Sequence, residues 1–92
     1  MEINFSIEYH DRVVRKDIPK IAPEWREKIR QAIERKLATS PEKFGKPLRR
    51  SLRGYRKLRV GDYRVIFKID GNAVKILVIQ HRSIVYKNGG QL

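Results

Sequence analysis

The stretch Tyr55-Arg56-Lys57-Leu58-Arg59-Val60-Gly61-Asp62-Tyr63-Arg64-Val65-Ile66-Phe67-Lys68-Ile69 carries the strongest structural signal in the chain. Leu58 and Val60 alternate with Lys57 and Arg59, and Tyr63, Val65, Phe67 and Ile69 alternate with Arg64 and Lys68. A period of two is the mark of strands that bury one face. Gly61-Asp62 reads as the turn between them. Asp70-Gly71-Asn72 is a strong hairpin signal, and Ala73 to Gln80 continues as another long strand.

Towards the N-terminus, Ile3, Phe5, Ile7 and Tyr9 alternate with polar neighbours, which predicts a first strand. Asp11 is placed to cap a helix beginning just after it. Val14, Ile18 and Ile21 recur at helical spacing, with Pro19 shortening or interrupting that helix near its end. Pro23 and Glu24 open a stronger helix whose apolar stripe is Trp25, Ile29, Ala32, Ile33 and Leu37. Ser40-Pro41 ends it, and residues 41–54 read as a connecting loop with a short basic segment. The expectation is an α+β fold in the order β-α-α-β-β-β. Its sheet is twisted and mostly antiparallel, two N-terminal helices cover one face, and residues 1–92 form a single domain.

Charge adds the first functional constraint. The 92 residues carry 22 Lys and Arg against 10 Asp and Glu, a formal net charge of +12. Residues 1–45 hold ten basic and eight acidic side chains, whereas residues 46–92 hold twelve basic and only two acidic ones. The excess therefore belongs to the sheet half, and a polyanion is the first partner to consider. The absence of cysteine excludes disulfides, thiol nucleophiles and Cys-based zinc sites. His10 and His81 are far apart and have no carboxylate at ligand spacing, so no metal site is expected. No apolar run approaches the roughly 20 residues that span a bilayer, and the first nine residues do not resemble a secretory leader. A cytoplasmic protein without a membrane partner is expected.

Lys57 and Arg59 project to one face of their strand, and Arg64 joins them if the hairpin pairs tightly. Such a cluster can stabilise a phosphate whose charge grows in a transition state. Basic strand faces also serve solubility and edge protection, and charge alone does not separate these readings. Gln80-His81-Arg82-Ser83-Ile84-Val85-Tyr86 adds an imidazole, a guanidinium and a phenol within a few residues. RNA carries its own nucleophile, the 2′-hydroxyl, so a ribonuclease can be built from Lys, Arg, His and Tyr without a metal. An isolated histidine at a strand end has a simpler packing role. Asp11 and Asp17 read as helix-surface charges, and Trp25 as core.

Leu48 to Gly54, the run Tyr55-Arg-Lys-Leu-Arg-Val-Gly-Asp-Tyr-Arg64-Val and the later His81-Arg82-Ser-Ile-Val-Tyr86 resemble the RelE/ParE superfamily of toxin–antitoxin toxins. The resemblance covers nearly the whole chain. RelE-like members are messenger-RNA endonucleases acting in the ribosomal A site; ParE-like members share the fold but poison DNA gyrase. The resemblance implies that Lys57, Arg59, Arg64, His81 and Tyr86 are the catalytic set of a metal-independent endoribonuclease. Lys57, Arg59 and Arg64 would hold the phosphate, and His81 would protonate the leaving 5′-oxygen. Either Tyr86 or Lys57 would deprotonate or orient the 2′-hydroxyl. Arg49, Arg50, Arg53, Arg56 and Arg82 would contact RNA or the ribosome. The implied partners are mRNA, ribosomal RNA and a cognate antitoxin; the rival readings are a ParE-like gyrase inhibitor and a non-catalytic nucleic-acid-binding protein.

Overall fold

The computed structural model describes residues 4–48 and 54–83. Strand β1 (Ser6–Tyr9) leads into a helical segment, α1, made of a wide π-type turn over Val13–Asp17 and a tight 3₁₀ turn over Ile18–Lys20. Helix α2 runs over Pro23–Ala32 and continues as a second wide turn over Ile33–Leu37. A one-turn helix, α3 (Pro41–Phe44), and a two-residue strand, β2 (Lys46–Pro47), come next. The long strands are β3 (Tyr55–Val60), β4 (Tyr63–Asp70) and β5 (Ala73–His81). Residues 41–47 of the segment expected to be a loop thus form a helical turn and a short strand. Pro41 sits at the first helical position, where its missing N–H costs nothing.

The sheet order is β1-β5-β4-β3-β2. β1 pairs parallel with β5, and every other pairing is antiparallel. The helices return the chain from one end of β1 to the other side of the sheet, as a parallel neighbour requires. Val13, Ile21, Ile29, Ile33 and Leu37 from the helices meet Leu58, Val65, Phe67, Val74, Ile76 and Ile79 in one core.

Two local expectations change. Val13 is fully buried while Val14 is 53% exposed, the reverse of the stripe starting at Val14. The wide turn is the reason: the Ile18 amide donates to the Val13 carbonyl, five residues back, so Val13 rather than Val14 lies above Ile18. Asp11 does not cap α1. The Arg12 amide donates to His10 Nδ1 at 3.0 Å, and Asp11 pairs with Arg15 one turn along.

The feature with most consequence for the site is a bulge in β5. Ile66 pairs with Val78 but Phe67 pairs with Ile76, leaving Leu77 as the extra residue. Val74 and Ile76 point to the core; after the bulge it is Ile79 that does so. β1 pairs with β5 only as far as Ile76, so the Ile79 amide has no strand beside it there. Asp17 Oδ2 accepts it at 3.0 Å. Asp17 is therefore a brace for β5 and not only a helix-surface charge.

Candidate functional site: a cationic cleft at the β3–β4 turn

Strand register sorts the basic residues between the two faces. Leu58 faces Val65 across the β3–β4 ladder and both are core, so Lys57, Arg59 and Arg64 point to the face away from the helices. Arg59 and Arg64 are direct cross-strand partners, which puts their Cβ atoms about 5 Å apart. Like charges placed so close destabilise a sheet, and an anion between them reverses the sign of that term. A cleft of about 240 Å³ opens here, lined by Lys57, Arg59, Asp62, Tyr63, Arg64 and Arg82. Four cations against one carboxylate give it a positive lining suited to an anion.

Backbone contacts hold the cleft in shape. Arg59 Nε donates to the Gly61 carbonyl at 3.1 Å, tying the guanidinium to the turn. The Arg82 amide donates to the Asp62 carbonyl at 2.8 Å, and the Arg82 guanidinium lies 3.7 Å from the Asp62 carboxylate. The end of β5 is thereby docked on the β3–β4 turn. Gly61 adopts φ +60°, and a Cβ there would lie 2.5 Å from the Trp25 ring. Trp25, half-buried on α2, closes over the turn and meets Tyr63 at a ring separation of 5.8 Å.

The bulge decides which groups of β5 reach this face. Arg64 pairs with Gln80, whereas His81 pairs with Tyr63. Gln80 therefore shares the face of Arg64, while His81 stands on the helix side. The His81 ring meets Tyr63 edge-on at 5.1 Å. Its Nδ1 accepts the Ser83 amide at 3.2 Å and lies 2.9 Å from the Ser83 hydroxyl. A backbone N–H can only donate, so the proton of the neutral ring sits on Nε2.

Of the residues singled out in the sequence, the structure brings Lys57, Arg59, Arg64 and Arg82 together and sets His81 on the other side of the same strand end. Arg56 faces the helix side, where its guanidinium donates to the Gly45 carbonyl at 3.0 Å and the Glu42 carbonyl at 3.4 Å. That geometry makes Arg56 a clamp between α3 and β3. Arg49, Arg50, Arg53 and Tyr86 lie outside the described residues. Tyr63, Asp62 and Gln80 belong to the site or its rim and carried no functional signal in the sequence. Lys46 joins the same face opposite Lys57, through the short strand β2. Among the described residues, no three His, Asp or Glu side chains converge as metal ligands, and no helix is long and apolar enough to cross a membrane.

Both the sequence and the fold of this small mixed sheet with helices on one face place the chain in the RelE/ParE superfamily of toxins. The family model described as the ParE toxin of the type II toxin–antitoxin system parDE matches residues 7–86. Toxin RelG of Mycobacterium tuberculosis is 35% identical over 75 residues, covering 79% of this chain and 86% of that protein. Toxin RelE of the same organism is 43% identical over 53 residues, a match spanning 55% of each chain and so about half the length of that relative. The crystal structure of the M. tuberculosis toxin–antitoxin complex RelBE2 contains a chain that superposes with a TM-score of 0.81 at 30% identity, covering 88% of this chain and 94% of that one. The chain belongs to this family of type II toxins and has the RelE-like α+β fold.

Proposed function

We propose that the toxin is an endoribonuclease that cleaves messenger RNA on the ribosome, and that a cognate antitoxin restrains it. The supporting observation is the Arg59–Arg64 pair facing each other across the ladder, flanked by Lys57 and Arg82 in one cleft. The similarity to toxins RelE and RelG, and to the toxin of a toxin–antitoxin complex, supports the same reading.

In the proposed reaction the 2′-oxygen attacks the adjacent phosphorus and the bond from phosphorus to the 5′-oxygen breaks. The 2′-hydroxyl proton passes to Lys57, as the neutral amine, or to Tyr86, as the phenolate, and the leaving 5′-oxygen takes a proton from the His81 imidazolium. Arg59, Arg64 and Arg82 stabilise the extra negative charge on the phosphoryl oxygens, with Arg59 tied to the Gly61 carbonyl and Arg82 beside the Asp62 carboxylate. The products end in 2′,3′-cyclic phosphate and 5′-hydroxyl. To protonate the leaving oxygen the ring must be the imidazolium, with Nε2–H as the donor and Nδ1–H turned to the Ser83 hydroxyl, and the ring lies on the helix-side face. Its action therefore requires the leaving group to reach the strand end at Tyr63, which both lines the cleft and holds the His81 ring. Ribosomal phosphates would meet other basic residues, including Arg49, Arg50 and Arg53.

A ParE-like reading has one observation in its favour: the matching family model is described by its ParE members. Induced expression followed by primer extension on cellular mRNA separates the two. Translation arrest with new mRNA 5′ ends supports the ribonuclease. Intact mRNA with gyrase-dependent DNA breaks supports the other reading, and no toxicity supports simple binding.

A further inference from the structure

The face that bears the cleft continues along β3 beyond it. Counting back from Arg59, Lys57 and Tyr55 occupy the same face, about 13 Å end to end at strand spacing. Lys46 stands opposite Lys57 on β2, and Lys68 stands opposite Tyr55 on β4. Lys68 Nζ lies 5.9 Å from the centre of the Tyr55 ring, and Tyr55 itself is only half-buried. A cationic row ending in an aromatic ring is the arrangement that single-stranded nucleic acid recognises: phosphates track the charges, and a base stacks on the ring.

We infer that Tyr55, with Lys46 and Lys68 beside it, forms a nucleobase subsite that holds single-stranded RNA a short distance from the scissile phosphate. The row Arg59, Lys57, Tyr55 sets the path of the strand along β3. Stacking on a tyrosine face is tolerant of base identity, so the subsite fixes register and strand direction more than sequence. This inference rests on the proposal that the cleft takes RNA; it assigns a second contact that the chemistry itself does not need.

The test uses the full chain and a single-stranded RNA made uncleavable by 2′-deoxy substitution. One 2-aminopurine is walked through successive positions, and its fluorescence reports stacking. Quenching is expected at one position to one side of the cleft. Tyr55→Leu should remove it and weaken binding roughly 5- to 150-fold, while Tyr55→Phe keeps both. Lys46→Ala, which leaves the ring in place, should lower the slope of log K against log salt by about 0.7. Unchanged quenching and affinity in Tyr55→Leu would overturn the inference, as would the absence of any position-dependent quenching in the wild type. If the wild type cuts no mRNA but the Tyr55-dependent quenching persists, the subsite stands and the cleavage proposal falls.

Discussion

Arg59 and Arg64 hold the same place on adjacent strands, so each lowers the cost of an anion that the other already attracts. Replacing Arg64 with Ala should reduce RNA cleavage by roughly 10²–10³-fold, the scale found when one preorganised charge stabiliser is lost. Thermal melting of the variant should stay close to wild type, since Arg64 stands on the face away from the core. His81 gives a sharper residue-scale prediction. If it is the leaving-group acid, His81→Ala loses roughly 10²–10⁴-fold in turnover with RNA affinity retained. Equal losses of turnover and affinity, or a lower melting temperature with full activity, would assign the ring to holding Tyr63. Glu27 offers a pH-dependent case away from the site. Hydrogen bonds from Arg30 and then Gln31 hold its carboxyl below the ordinary carboxylate range. Its contribution is present above the unfolded carboxylate value and is lost as pH falls through the folded one. The melting difference between wild type and Glu27→Gln, measured at low salt, should therefore shrink towards zero on acidification.

Elements explain why one part of the site was legible and another was not. Lys57, Arg59 and Arg64 could be placed from alternation alone, because β3, its two-residue turn and the start of β4 keep strict register. The end of β5 could not. The apolar run from Ile76 to Ile79 has no alternation to read, and the extra residue at Leu77 exchanges the faces of everything after it. That exchange carries Gln80 to the cleft side and His81 to the helix side. The short strand β2 was hidden for a different reason: Pro47 and Gly45 resemble loop punctuation, and only pairing with β3 reveals the strand. Asp17 holds the bulged end of β5 by accepting the Ile79 amide. Asp17→Ala should cost about 1–3 kcal/mol in urea denaturation, the penalty for a donor left without its partner. Asp17→Asn, which keeps an acceptor oxygen, should cost less. At the β3–β4 turn, Gly61→Ala meets both a positive φ and the Trp25 ring, and should cost about 1–3 kcal/mol. Combining it with Trp25→Leu should recover part of that loss.

Across the molecule as a whole, the sheet separates two jobs. One face packs against helices that mix basic with acidic side chains, and the other concentrates cations around a cleft with few carboxylates. Among the described residues of the sheet half, the basic side chains other than Arg56 stand on the cleft side. Affinity for single-stranded RNA should fall linearly on a log–log plot against salt, with a slope of about −0.7 for each phosphate neutralised. Removing Arg59, Arg64 or Arg82 should lower that slope by about one such step each, whereas removing Arg30 on the helix side should leave it unchanged. A uniform dependence on all surface cations would mean that the cleft is not where RNA binds.

If the cleft drives attack by the RNA's own 2′-hydroxyl, the ends of the cut strand must record it. Purified toxin is added to ribosomes programmed with an mRNA of natural sequence, or with the same mRNA carrying a single 2′-deoxynucleotide at the mapped cut. End-group analysis should find 2′,3′-cyclic phosphate on the natural mRNA and no cut at the 2′-deoxy position. Cleavage that persists at the 2′-deoxy position, or mRNA left whole by active toxin, would refute this chemistry.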